Sequence, residues 1–239
     1  MRIAIFSDVH ANLPALVAVL ADIAVAGVDA RYARGVLVGY APWPNEVLER
    51  LESEGLPIVM GNYDDGTGFG RDECGCAYVK ERDKAEGDAG FAWTKAHTSE
   101  TNKAWLRTLH PEIRFVADGR RYLLVHGSPR KINEYLYEDK PDATFARIAE
   151  GAHADIIVCG HTHKPYDKSV AGTRFVNVGS AGKPKDGDPR ACWALLDSAA
   201  DTVEFRRVAY DVEAAAKAIE AAGLPSEFAD QLREARGYR

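Results

Sequence analysis

Four short segments of the sequence each carry side chains that can bind a metal ion. They read SDVHAN at 7–12, GNYDD at 61–65, VHGSP at 125–129 and GHTHKP at 160–165. The donor residues within them are Asp8, His10, Asn62, His126, His161 and His163. Imidazole nitrogens with carboxylate and amide oxygens suit divalent ions such as Mn²⁺, Fe²⁺, Ni²⁺ or Zn²⁺. The sequence therefore predicts a metalloenzyme.

Each of these segments is a weak signal by itself. Asp8 and His10 share one side of a strand end, because alternate strand residues share a face, yet a hydrogen-bonded core histidine is the commoner explanation of such a pair. Asn62 after a glycine would alone indicate a turn. The histidines without neighbouring donors, which we expect at the surface, are His97, His110 and His153. Four strand ends that all deliver a donor favour a metal site over packing.

The elements that must position these donors begin with a β-α-β-α-β pattern. Strands are predicted at 2–7, 32–38 and 57–60 from their apolar runs. Asn12 caps the first helix, which Gly27 ends. The second helix is expected from about Pro44 to Glu54. In α/β proteins of this kind, ligands bind beyond the carboxyl ends of the strands.

The second half of the chain is richer in hairpins. Asp118-Gly119 between two strand-like runs is a strong hairpin signal, whereas 65–98 resists assignment. Further strands are predicted at 112–117, 120–125, 155–159, 168–170, 173–178, 192–196 and 202–210. Further helices are predicted at 99–109, 141–150, 212–222 and 226–236. We expect one α/β domain over 1–239, with two mixed sheets packed between helical layers.

Composition excludes several classes of protein. The chain has 239 residues, 46% of them hydrophobic, and a net charge of −6, which argues against strong binding to nucleic acid or anionic membrane. It shows no apolar run that could span a bilayer and no secretory leader, so we expect a reduced, cytoplasmic protein. Cys159 and Cys192 lie in apolar runs. Cys74 and Cys76 form a CGC motif that lacks the second pair of a zinc site, and a structural or incidental role is favoured.

The ordered set of SDVHAN, GNYD, VHGSP and GHTHKP resembles the calcineurin-like metallophosphoesterase superfamily, and within it the small YfcE-like phosphodiesterases. The likeness runs from residue 1 to about residue 195 and includes LVGYAPWPNEV, CGCAY and the loop at 177–191. This resemblance implies a four-layer α/β/β/α sandwich with two divalent ions at the strand ends.

The resemblance also implies a role for each donor. The residues implied for the first ion are Asp8, His10 and His163. Those implied for the second are Asn62, His126 and His161. An aspartate that bridges both ions in the family is replaced by Val36, which cannot bind a metal. Tyr63 replaces a histidine that helps to protonate the leaving group in many members, and a phenol of pKa about 10 is a poor proton shuttle.

Two hypotheses follow. In the first, Asn62, Tyr63 and Asp64 contribute to catalysis, and a metal-bound hydroxide hydrolyses a small phosphodiester or phosphomonoester. The two ions are then bridged by hydroxide, by phosphate or by a carboxylate such as Asp64 or Asp65. In the second, the chain is a metal-poor binding or scaffold module with the same fold. A homodimer is possible in either case.

Three loops are expected to frame the pocket, at 71–76, 130–137 and 183–190. Their Arg and Lys side chains could contact phosphate oxygens. Each could equally be an ordinary solvated loop, and the substrate itself is open between cyclic nucleotides, dinucleoside polyphosphates, phosphoproteins and RNA ends.

Overall fold

Two five-stranded sheets form the centre of the protein, in a computed structural model that describes residues 1–238. The strands are β1 (Arg2–Ser7), β2 (Ala30–Arg34), β3 (Ile58–Val59), β4 (Ile113–Ala117), β5 (Arg120–Leu124), β6 (Ile156–Cys159), β7 (Tyr166–Val170), β8 (Thr173–Asn177), β9 (Ala191–Asp197) and β10 (Thr202–Val208). The helices are α1 (Leu13–Val25), α2 (Pro44–Glu54), α3 (Asn62–Gly68), α4 (Glu81–His97), α5 (Glu100–Leu106), α6 (Asp142–Ala152), α7 (Val212–Ala221) and α8 (Ser226–Glu234).

Both sheets are mixed, as the sequence predicted. The first has the order β10-β9-β1-β2-β3. Strands β1, β2 and β3 are parallel to one another, whereas β9 is antiparallel to both of its neighbours, β1 and β10. The second has the order β4-β5-β6-β8-β7. Its three central strands are parallel and its two edge strands are antiparallel. The first sheet therefore combines three strands from the first third of the chain with two strands from its last quarter.

Alternation along the strands builds the layers. In β1, Ala4 and Phe6 pack into the core between the first sheet and its helices. Ile3 and Ile5, on the other face, pack into the core between the two sheets. This period of two is the reason that a short, wholly apolar strand can serve two cores.

The second sheet repeats this arrangement. Ile156 and Val158 of β6 face the core between the sheets. Ile157 and Cys159 face a third core that includes Phe145 of α6. The result is the predicted four-layer α/β/β/α sandwich, in which β1 and β6 are buried on both faces.

Local signals set several element boundaries where the sequence predicted them. The side chain of Asn12 accepts a hydrogen bond from the N–H of Ala15 (3.2 Å) and caps α1. α2 ends at Gly55, which has a φ of 60° and takes the left-handed conformation that a side chain would oppose. None of the helices in residues 1–238 is long and apolar enough to cross a bilayer.

The prediction for the second strand was wrong at its end. β2 stops at Arg34 instead of continuing to Val38. Beyond Arg34 the chain is irregular, and the carbonyl groups of Val36 and Leu37 accept hydrogen bonds from the N–H groups of His10 and Ala11 in the loop after β1. The apolar run from 36 to 38 therefore reflects burial in a loop and not a strand.

The segment that resisted assignment contains helical structure at both ends. Residues 65–68 complete α3, residues 81–97 form α4, and the stretch between them is irregular. Glycines and charged residues hid α4 from a pattern-based prediction, since only a narrow part of its surface is apolar.

Candidate metal centre

The six predicted ligands meet at one edge of the sandwich. Asp8 comes directly after β1, Asn62 begins α3 after β3, and His126 follows β5. His161 and His163 lie in the loop after β6. Because these strands point their carboxyl ends to the same edge, their loops converge there. All six side chains are buried, with exposed fractions of at most 4%.

One group of three donors, the Asp8 cluster, consists of Asp8, His10 and His163. The Nε2 atoms of His10 and His163 are 3.1 Å apart. Asp8 Oδ1 lies 3.4 Å from His163 Nε2 and 3.8 Å from His10 Nε2. All three donor atoms fit around one ion.

The other group, the Asn62 cluster, consists of Asn62, His126 and His161. His126 Nε2 lies 3.0 Å from Asn62 Oδ1 and 3.0 Å from His161 Nδ1. The two clusters adjoin, since the backbone N–H of His161 donates to Asp8 Oδ2 at 3.3 Å.

The donor set fits divalent ions. A bound metal takes imidazole nitrogens and oxygens at about 2.0–2.2 Å, which leaves neighbouring donors roughly 3 Å apart. Both clusters have this spacing, and in each a pair of ring nitrogens faces each other at 3.0–3.1 Å. One nitrogen of such a pair can donate a hydrogen bond to the other, and two unprotonated nitrogens at this spacing can bind one cation together.

The backbone is strained at four of the six donors. Asp8, His10, His161 and His163 have φ values of 54°, 51°, 64° and 61°. Positive φ is uncommon in residues other than glycine and persists only where the surrounding structure enforces it. Such strain concentrates at functional sites, which supports a binding role for these loops.

Burial keeps the imidazoles neutral. Desolvation lowers the pKa of His161 to about 4. It also holds the pKa of His10, His126 and His163 well below the usual value. At neutral pH the four rings therefore carry no charge, which is the state that binds a metal.

Asp8 supplies a negative charge to the site. Burial alone would raise its pKa, but attraction from His126 and His10 when these rings are protonated in acid, the hydroxyl of Ser7 and the Arg34 guanidinium together hold that pKa below its ordinary value. Ser7 Oγ donates to Asp8 Oδ2 at 2.5 Å. The carboxylate is therefore ionised although it is fully buried.

Arg34, which was not predicted from the sequence, forms hydrogen bonds with the backbone that carries several of the candidate ligands. Its fully buried guanidinium donates to the carbonyl oxygens of Val125 (2.8 Å), Cys159 (2.6 Å) and His126 (3.3 Å). It thus ties the end of β2 to the ends of β5 and β6. Gly160 leaves room for it, since a Cβ there would lie 2.3 Å from Arg34 Nη2.

The CGC motif contacts the Asn62 cluster. Asn62 Nδ2 donates to the carbonyl oxygen of Cys74 (2.7 Å) and lies 3.3 Å from Cys76 Sγ. These contacts turn Asn62 Oδ1 toward His126. All four cysteines are free, and Cys159 and Cys192 are buried as expected. No spacing in the sequence could place the CGC motif beside residue 62.

A backbone carbonyl group orients one histidine of the Asp8 cluster. His163 Nδ1 donates to the backbone carbonyl of Lys183 at 2.6 Å, which directs Nε2 at the donor site. Partners of this kind set the tautomer of a ligating histidine.

Tyr63 lies next to the centre in an aromatic environment. It is 1% exposed and packs against Phe91, Tyr40 and His10. Burial raises its pKa well above the usual value, so the phenol stays protonated. Among residues 1–238 its hydroxyl has no hydrogen-bond partner.

Asp64 and Asp65 are engaged elsewhere. Asp64 Oδ1 accepts from the N–H of Leu37 (2.8 Å) and Oδ2 from that of Gly61 (2.9 Å). Burial raises the pKa of Asp64 to about 7. Asp65 forms an ion pair with Arg71. Both carboxyl groups therefore have partners outside the two clusters.

Val36 lines a small cavity that donors of both clusters also line. His10 and His163 of the Asp8 cluster, and Asn62 and His161 of the Asn62 cluster, line the same cavity. The valine side chain is 1% exposed, so it presents an apolar surface between two sets of polar donors.

Comparison with known proteins gives relatives over nearly the whole chain. An uncharacterised protein of Methanocaldococcus jannaschii is 30% identical, and the match covers 96% of each chain. The crystal structure of a metallophosphoesterase from Sphaerobacter thermophilus is 30% identical with a TM-score of 0.78, covering 98% of this chain and 99% of that one. A hypothetical protein of Pyrococcus horikoshii, 22% identical with a TM-score of 0.87, covers 100% and 99% and shows the same fold.

A family model decides the classification. Residues 1–201 match the model of the calcineurin-like phosphoesterase superfamily domain. Members of this superfamily use divalent metals, and the phosphoesterase fold implies small substrates, which agrees with the donors brought together here. Membership supports a metal-dependent phosphoesterase in general. The chain therefore belongs to the calcineurin-like phosphoesterase superfamily.

Proposed function

We propose that this protein hydrolyses small phosphate esters with two divalent ions, one in the Asp8 cluster and one in the Asn62 cluster. The observation that carries this proposal is the spacing of the six buried donors, whose facing atoms lie 3.0–3.8 Å apart within each cluster. Ions in such a site neutralise phosphate charge and promote attack by water.

The protein itself fixes the positions and the protonation states of the donor side chains before an ion binds. Neutral imidazoles, fixed by burial and by the carbonyl of Lys183, need no proton loss at neutral pH to bind an ion. The strained φ values in the loops keep the donors aimed at one another. Little reorganisation is then required when an ion and a substrate bind.

Val36 makes the two proposed ion sites unequal. With a valine where the resemblance expects a bridging aspartate, Asp8 is the single anionic donor among the six proposed ligands. Asp64 and Asp65 are held by other partners, so we propose that phosphate oxygens of the substrate bridge the ions instead. Binding of the second ion should then be strengthened by phosphate.

Tyr63 and Asp64 take supporting parts in this proposal. Because the pKa of Tyr63 is raised, it keeps its hydroxyl hydrogen and can donate a hydrogen bond toward the cavity that it lines. Asp64 positions the turn that carries Val36, through its bonds to the backbone of that turn.

A metal-poor binding module is the second candidate, and Val36 is the observation that favours it. Loss of a bridging carboxylate weakens a two-metal site, and a fold of this kind can persist without activity. The retention of all six other donors, buried and aimed at one another, favours the enzyme.

The test measures metal content and turnover in one preparation. The chain is incubated with Mn²⁺ and dialysed, manganese per chain is determined by elemental analysis, and hydrolysis of bis-p-nitrophenyl phosphate is followed. His126→Ala is compared with His110→Ala, since His110 is an exposed histidine that belongs to neither donor cluster. We expect bound manganese and turnover in the parent and in His110→Ala, with both reduced in His126→Ala. A parent chain without metal and without turnover would defeat the enzyme and favour the binding module.

A further inference from the structure

A groove lined by tyrosines and cationic side chains runs outward from the candidate metal centre. Its volume is about 720 Å³. Tyr135 and Lys185 line both this groove and the small cavity shared by the two donor clusters. The groove and the cavity therefore adjoin at these two side chains.

One side of the groove is a stack of flat rings that begins at a metal-ligand candidate. The ring of Tyr135 lies 4.0 Å from that of His161, centroid to centroid. Tyr137 stacks nearly parallel to Tyr135, with centroids 5.9 Å apart and planes 12° from parallel. Tyr137 is 37% exposed, so a face of the stack remains open to a ligand.

The opposite side of the groove adds two further aromatic rings. Tyr78 and Tyr238 line the groove with their rings edge to face, 5.9 Å apart. Their hydroxyl groups are buried, so the two residues present their rings to the groove.

Most of the charged side chains that line the groove are cationic: Lys80, Lys164, Lys185 and Arg236, against the carboxylate of Asp83. Lys164 and Lys185 both line it, and within residues 1–238 neither ammonium group is paired with a carboxylate. Arg236, which also lines it, is already paired with Glu227. Lysine binds phosphate as a compact point charge, so these two lysines suit phosphate oxygens beside the two clusters.

We propose that this groove binds the nucleoside part of a nucleotide ester or anhydride whose phosphate lies at the metal centre. The base stacks on Tyr137, the rings of Tyr78 and Tyr238 contact the rest of the nucleoside, and Lys164 and Lys185 contact phosphate. The volume lies within the roughly 300–1,000 Å³ of small-molecule sites. A sugar phosphate offers no flat ring to the tyrosine stack, and a lipid tail does not suit the lysines.

This inference rests on the proposed phosphoesterase function and names its substrate class. The test uses two phosphodiesters with the same leaving group, thymidine 5′-(p-nitrophenyl phosphate) and methyl p-nitrophenyl phosphate. Because the bond that breaks is the same, the ratio of their kcat/KM values reports only what occupies the groove. We expect the nucleoside ester to be preferred by at least about tenfold, the range for one base stacked on an aromatic ring.

Variants of Tyr137 test whether the preference for the nucleoside ester depends on the stack of Tyr135 and Tyr137. Tyr137→Ala should lower the preference about tenfold, and Tyr137→Phe, which keeps the ring, should retain it. Phe69→Ala is the matched control, because Phe69 is 51% exposed but does not line the groove. Equal effects of Tyr137→Ala and Phe69→Ala, or a parent without preference, would overturn the inference while leaving the hydrolase intact.

A binding measurement separates this inference from the function on which it rests. Adenosine monophosphate and inorganic phosphate are titrated into the purified chain by calorimetry, with and without Mn²⁺. The nucleotide should bind at least about tenfold more tightly than phosphate, and Tyr137→Ala should remove that advantage. If neither ester is hydrolysed, the proposed function fails, and this titration still decides the groove: no advantage of the nucleotide would overturn the inference.

Discussion

The Asp8 cluster and the Asn62 cluster adjoin, yet they differ in charge. The Asp8 cluster contains a buried carboxylate that Ser7 and Arg34 help to keep ionised. The Asn62 cluster contains two imidazoles and an amide, all neutral at neutral pH. We therefore expect an ion in the first cluster to meet a full negative charge and an ion in the second to meet only dipoles.

The clusters also differ in how their donors are held. Asp8, His10 and His163 share the first cluster in loops with positive φ, and a backbone carbonyl fixes His163. Asn62 depends on Cys74 and Cys76 in an irregular segment between two helices. From this difference we predict that the Asp8 cluster binds an ion alone and that the Asn62 cluster needs charge from outside its own donors. Four substitutions test this contrast.

The largest effect is expected for Asp8→Asn. The substitution keeps the size of the side chain but removes the single anionic donor. Since loss of an outer partner alone costs about 10–100-fold in metal affinity, loss of this ligand should lower kcat/KM more than about 100-fold. Elemental analysis and hydrolysis of bis-p-nitrophenyl phosphate provide the measurements. Asp65→Asn, which loses only a surface ion pair, is the control, and equal effects in the two variants would contradict the assignment.

Val36→Asp should make the two clusters more alike. A carboxylate in the shared cavity would supply the Asn62 cluster with the charge that it lacks, and affinity for a second ion should rise about 10- to 100-fold, by analogy with the cost of losing a metal-site partner. Titration with Mn²⁺, followed by calorimetry, measures the two affinities. Val36→Asn has nearly the same size without the charge and should show no such rise. If both variants behave alike, charge is not what separates the clusters.

Cys76→Ala tests whether the CGC motif positions Asn62. The contact between Asn62 Nδ2 and the sulfur is 3.3 Å long and weak, so its loss should lower affinity for the second ion only about three- to tenfold, at the lower end of outer-partner effects. The same Mn²⁺ titration gives the answer. Cys192→Ala removes a buried thiol in β9 and serves as the control. Weaker binding of the first ion in Cys76→Ala would show that the clusters are not independent.

Tyr63→Phe should have the smallest effect. The hydroxyl has no protein partner among residues 1–238, so the free energy of unfolding should change by less than about 0.5 kcal/mol, as for substitutions that break no bond. If the hydroxyl donates to the substrate, kcat should fall about two- to fivefold, the size of one neutral hydrogen bond. Chemical denaturation and steady-state kinetics measure the two quantities. An unchanged kcat would assign Tyr63 to packing alone.

Much of the fold was predictable from local signals. The strand at 2–7, the helix capped by Asn12, the helix from Pro44 to Glu54 and the hairpin at Asp118-Gly119 all appear where the sequence placed them. The end of β2 was predicted wrongly, because an apolar run records burial and does not record which hydrogen bonds its backbone makes. The helix at 81–97 was missed for the opposite reason, since charged residues and glycines dominate it.

Part of the candidate site, like part of the fold, was predictable from the sequence. The sequence by itself determined which side chains could bind a metal, because donor chemistry belongs to the residue type and strand ends are visible as apolar runs that stop. It also determined that Val36 offers no donor.

Only the tertiary structure decided how those donors act together. It turned Asp64 toward the backbone, set Cys76 against Asn62, and placed Arg34 beneath the ends of two strands from the other sheet. It likewise joined Tyr137, through Tyr135, to His161. These contacts join residues far apart in the chain or depend on side-chain direction, and both are consequences of packing two sheets face to face, which no local pattern of residues encodes.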